Sequence, residues 1–176
     1  MKVFKILFLA ISLFSCTGLS AKPAASDTLR IVGDDGFLRY PFGVLESFKA
    51  FKAHYSGVLN IKSADVRPYQ GEAREHTKTF TVSANYARFY TDKNTKRLET
   101  VSALILNKEM PLQNGIMIGM ERTDFLTKMK ISADGDKTAT VLELSSKSGD
   151  IHHFYHFQND RVVRIMMTSK LSYQKE

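Results

Sequence analysis

A single cysteine, Cys16, excludes an intrachain disulfide, a thiol redox pair and a cysteine zinc site. A chain of 176 residues can bury a core without such staples, so packing alone must hold it. Blocks of one charge are also missing. The formal net charge is +7, yet the basic residues are scattered and no run of five or six occurs. Nucleic-acid readers need a basic stripe with aromatic platforms, so no nucleic-acid partner is expected. The positive balance favours solubility and weak attraction to acidic surfaces.

Catalytic signatures are lacking as well. There is no Gly-x-Ser-x-Gly elbow. Gly115-x-x-x-Gly119 lacks the Gly-Lys-Ser/Thr ending of a phosphate loop. Asp34-Asp35-Gly36 is too short for a calcium loop and reads as turn chemistry. No carboxylate pair is flanked by an apolar pocket that would part its pKa values. A non-enzyme without a cofactor is expected. A hydrolase would need a deep pocket around Glu72, Glu75 and His76.

What is present begins at the N-terminus. Lys2 and Lys5 precede an apolar run over 6–14, interrupted only by Ser12, and small residues follow. That order describes a secretory signal over 1–21. The run is too short for a permanent transmembrane helix. Two cleavage readings stand. Leu13-Phe14-Ser15-Cys16 resembles a bacterial lipobox, which would make Cys16 a lipidated first residue. Cleavage after Ala21 would release the chain without a lipid. Export is expected either way, to the periplasm, the outer membrane or the outside. A lipid on Cys16 would be the only membrane contact.

Residues 22–27 read as a flexible tether. Residues 28–32 suit a strand, closed by the turn residues Gly33-Asp34-Asp35-Gly36. Over 44–54, Val44, Leu45, Phe48 and Phe51 recur at helical spacing, which predicts about three turns of helix. Residues 58–61 suit a strand, and 63–75 a polar loop or bulged edge. Residues 79–90 alternate and predict one half-buried strand, with Phe80, Val82, Ala84 and Tyr86 on its inner face. A turn over 92–95 leads to a return strand over 98–106. A second series follows: a helix over 121–130, then strands over 138–144, 151–157 and 161–168 joined by tight turns.

Strand runs punctuated by single helices indicate an α+β fold, with short helices on one face of an antiparallel sheet. The repeated order allows two tandem helix-plus-strands units, 28–109 and 110–176.

The segment Gly115-Ile116-Met117-Ile118-Gly119-Met120-Glu121-Arg122-Thr123-Asp124-Phe125-Leu126 and the hairpin from His153 through Asn159-Asp160 to Ile165 carry a resemblance. Together they resemble one unit of the fold of the small outer-membrane assembly lipoproteins and of the secreted β-lactamase-inhibitor proteins, which carry two such units. The match covers about 110–170, with a looser echo over 40–106. In that pattern Gly119 permits a tight entry, and Met120 and Phe125 dock the helix on the sheet. The family often has Ser or Thr where this chain has Glu121. The exported, cysteine-poor style is also similar to envelope proteins of Bacteroidetes-type bacteria. The resemblance implies binding more readily than catalysis, and it names no partner.

Three residue sets are candidates for function. His152 and His156 fall on one side of the 151–157 strand and His153 on the other. Their Cα atoms would lie about 13 Å apart, so a metal or haem site at His152 and His156 needs a third ligand from elsewhere. Ile151, His153, Tyr155 and Phe157 read as a covered face. Met166-Met167 point to opposite faces, so core filling explains the methionines better than copper binding. Tyr86, Phe89, Tyr90 and Tyr155 stand near turns and could serve recognition, although core packing accounts for most. The expected function is a non-catalytic, protein-binding or accessory role through an exposed sheet face. The alternative is a metal- or haem-binding envelope protein using the His152/His153/His156 cluster.

Overall fold

A computed structural model describes residues 28–55, 62–65, 77–91, 96–132 and 139–170. The expected signal segment with Cys16, the expected 22–27 tether, 58–61 strand and 92–95 turn, and Glu72, Glu75 and His76 lie outside the described residues.

Among the described residues, eight strands form one sheet in the order β1-β6-β7-β8-β5-β4-β3-β2. Four make a meander: β2 (Lys62–Asp65), β3 (Thr77–Val82), β4 (Asn85–Thr91) and β5 (Leu98–Ile105). Three make a second: β6 (Val141–Ser145), β7 (Ile151–Gln158) and β8 (Arg161–Ser169). The meanders join between β5 and β8, from Ser102 opposite Thr168 to Ile105 opposite Ile165. The first strand, β1 (Thr28–Val32), pairs with β6 in parallel. The sheet is therefore mixed rather than antiparallel throughout. Its N-terminal strand extends the second meander although it comes first in the chain.

Among the described residues three short helices accompany the sheet: α1 (Asp35–Arg39), α2 (Phe48–His54) and α3 (Arg122–Lys128). Each buries one large side chain, Leu38, Phe51 and Phe125 respectively. Phe51 packs on Phe80 and Phe89 with ring centroids 4.8 and 4.6 Å away. Phe125 packs on Tyr155 at 4.6 Å and Phe157 at 5.3 Å. Register places Ala87, Ala103, Met167 and His153 side by side, so this covered face is continuous across both meanders. Fully hidden aromatic rings of this size contribute a large share of the burial that stabilises the fold.

The structure corrects several expectations. The expected turn at 33–36 instead starts α1: Asp34 caps it, its Oδ1 accepting from the Phe37 N–H at 2.8 Å. Asp35 accepts from the Lys147 N–H at 3.0 Å, tying α1 to the β6–β7 turn. The helix expected over 44–54 begins only at Phe48, with Ser47 as its cap. Leu45 is not helical because its carbonyl accepts from the Leu98 N–H at the start of β5. Of the stretch expected to be a polar loop or a bulged edge, residues 63–65 belong to β2, at the sheet edge, in line with the second alternative.

The largest correction concerns 79–90. It is a hairpin, with β3 and β4 joined through Ser83 and Ala84, and Ser83 takes a left-handed φ of 53°. The two-residue turn preserves the alternating appearance of the sequence while exchanging the faces of β4. Asn85, Ala87 and Phe89 are buried, and Tyr86 is turned to the other side.

Candidate interaction face

Alternation gives the sheet a second face, opposite the helices. Register stacks its side chains into rows across the strands. One row contains Arg30, Glu143, Phe154, Met166, Leu104 and Tyr86. A neighbouring row contains Ser145, His152, Thr168, Ser102, Arg88 and Thr79. The middle of the first row is apolar and the second row is polar throughout. Phe154, Leu104 and Tyr86 are half-buried, and Met166 is 39 % exposed.

Between these rows, over β4, β5 and β8, lies a shallow depression of about 390 Å³. Tyr86, Leu104 and Met166 form its apolar wall, and Arg88, Ser102 and Thr168 its polar wall. Arg88 Nε donates to Thr79 Oγ1 at 3.3 Å, which props the guanidinium against the sheet. Among the described residues no carboxylate pairs with Arg88.

The other end of the face has its own charges. Glu143, 8 % exposed, meets Arg30 Nε through Oε2 and His152 Nδ1 through Oε1, each at 2.9 Å. His152 Nε2 lies 3.0 Å from the Gly149 carbonyl. His156 accepts at Nδ1 from Arg164 Nη2 at 3.3 Å. Burial, and then the Arg164 charge, push the His156 imidazole below its ordinary range.

His152 and His156 do share one face, as alternation requires, with Phe154 between them. Each ring is engaged with a different partner. Among the described residues no group of three or more His, Cys, Asp or Glu is placed to hold a metal ion. His153 lies on the covered face and is fully buried. Its Nε2 donates to the Leu38 carbonyl at 3.1 Å, and its Nδ1 accepts from the Tyr155 hydroxyl at 3.3 Å. It holds α1 on the sheet. Asp34 caps α1, and Asp35 ties it to the β6–β7 turn.

Of the candidate aromatics, Phe89 and Tyr155 are core, while Tyr86 and Tyr90 are only half-buried. The sequence reading passed over Arg88, Ser102, Leu104 and Thr168. The alternation of 98–106 and 161–168 carried the signal for the last three. The misread hairpin concealed Arg88. No family model matches the chain, and no curated protein or solved structure matches it either.

Proposed function

We propose that this chain is an exported, non-catalytic binding protein of the cell envelope, which recognises a protein partner through the uncovered face of its sheet. The observation that carries this reading is the half-exposed row of Phe154, Met166, Leu104 and Tyr86 opposite the helix-covered face. Arg88 and Arg164 stand beside that row. Aromatic, Met and Arg side chains are the types enriched in protein interfaces. Export is supported by the secretory pattern of 1–21. The resemblance to tandem helix-plus-strands units of envelope and inhibitor proteins supports a binding role. Two such units would present one broad sheet.

A photo-crosslinking residue at position 166, compared with one at Lys52 on the exposed side of α2, tests the reading in the cells that make the protein. Specific protein adducts are expected from position 166 and not from position 52. Equal adducts at both positions, or none at 166, would reject it. The intact mass of the mature chain separates the two anchoring modes: acylated Cys16 means tethering, and a start at Lys22 without lipid means free release.

A further inference from the structure

The depression has two chemically different walls, and that difference specifies what fits it. Resting on the binding role proposed above, we infer that the Arg88 wall seats a carboxylate of the partner, so that the partner contributes an acidic segment with an apolar side chain beside its acid.

Arg88 Nε is held by Thr79 and, among the described residues, no carboxylate neutralises the guanidinium. A guanidinium fixed at one nitrogen keeps its remaining N–H groups in a planar fork, which suits a carboxylate. Ser102 and Thr168 follow Arg88 in the same row, each on the next strand, and add hydroxyl donors along the same wall. The apolar wall of Leu104 and Met166 lies two residues along β5 and β8 from that row. Two residues of strand span about 6.8 Å. The partner's acid and its apolar neighbour must therefore stand about that far apart, as at i and i+2 of an extended segment.

Charge favours the same occupant. Without Lys2 and Lys5 of the secretory segment the formal net charge of +7 becomes +5, still positive, and Arg164 lies on this face as well. Glu143 does not offset Arg88, because Arg30 and His152 already occupy both of its oxygens. An acidic segment gains long-range attraction to such a face, and its carboxylate loses less on leaving water when a fixed guanidinium receives it. A peptide with only apolar side chains would cover Leu104 and Met166 and leave Arg88 to be desolvated without a partner.

The test is a selection of displayed twelve-residue peptides on the full chain, followed by anisotropy titration of the selected peptides at low salt. The expected binders carry Asp or Glu near Leu, Phe or Tyr. Changing the acid to its amide is expected to weaken binding at least tenfold. In Arg88→Gln the acid and amide forms should bind alike. Equal binding of acid and amide to the unaltered protein overturns the inference, and this arm needs no variant to fold. Binding that survives Arg88→Gln but is lost in Met166→Arg overturns the carboxylate seat and leaves the face intact. Binding that survives both changes overturns the face as well. A library that yields no binder, or a face closed by a second copy in sedimentation, also overturns the inference.

Discussion

His153 is a buried imidazole with both nitrogens satisfied, and burial pushes its pKa down to about 3. The Leu38 carbonyl opposes this shift and the neighbouring His152 adds to it, but loss of water dominates. The unfolded chain titrates near pH 6.5, so it takes up a proton that the folded chain refuses. His153 therefore adds full stability above about pH 6.5, and this is lost as pH falls from there toward 3. Urea unfolding at pH 7 and pH 5 should show the natural chain losing up to about 2 kcal/mol more than His153→Gln, which keeps a donor for Leu38 but cannot titrate. Equal losses would mean that the imidazole can leave the core and charge without unfolding the protein. Asn85 is the second such residue. It is 1 % exposed, and its Oδ1 accepts from the N–H groups of Leu106 and Asn107 at 2.8 and 3.2 Å. Asn85→Leu strands both donors at the end of β5 and should cost about 2–4 kcal/mol in urea denaturation. Asn85→Asp keeps that acceptor but loses the Nδ2–H that donates to Asn107 Oδ1 at 2.6 Å and buries a carboxylate, so it should destabilise the protein as well. His153 was legible from the sequence, since its neighbours Ile151, Tyr155 and Phe157 mark a covered face. Asn85 was not, because its burial depends on a turn that no glycine announces.

At the level of elements, the β3–β4 hairpin explains what the sequence concealed. Turns with left-handed residues usually carry Gly or Asn, but here Ser83 takes that conformation. The hairpin at Asn159 and Asp160 was visible because those two types tolerate the left-handed values of 50° and 56° that they adopt. Tyr86 and Arg88 of the candidate site sit on β4, so the missed turn hid Arg88 and gave Tyr86 the wrong neighbours. The start of α3 is the converse case, a departure visible in the sequence that the structure accounts for. Glu121 makes no side-chain cap; its carboxylate instead pairs with Arg161 at 2.6 Å. Both partners are more than half exposed, and a pair of that kind contributes about 0–1 kcal/mol. A Ser cap contributes about 0.5–2 kcal/mol. The cap outweighs the pair, so Glu121→Ser should raise stability by about 0.5 kcal/mol in thermal melts. A loss above about 1 kcal/mol would show that Glu121 locks the β7–β8 turn rather than merely opening the helix.

Over the whole molecule, the class of fold was legible because periodicity is a local signal, whereas strand order was not. Nothing in residues 28–32 shows that they pair in parallel with β6, more than a hundred residues away. That pairing has a mechanical consequence. The chain leaves β1 beside the second meander, crosses through α1 and α2, and enters the first meander at the opposite edge. β1 therefore supplies an edge strand to the β6–β8 meander, and α1 packs on β7 through the bond from His153 to Leu38. Hydrogen bonds between β5 and β8 close the seam at the centre. Two meanders tied at both an edge and a seam cannot unfold one at a time without exposing the other's core. Phe51→Ala and Phe125→Ala each remove a fully buried ring, from α2 and α3, and should each cost about 3–5 kcal/mol. Because the meanders are tied, both changes should shift one common urea transition, with an unaltered slope, in far-ultraviolet dichroism and tyrosine fluorescence alike. Separate transitions, each moved by only one of the two changes, would mean that the halves fold independently and that the crossing of β1 is an accessory contact.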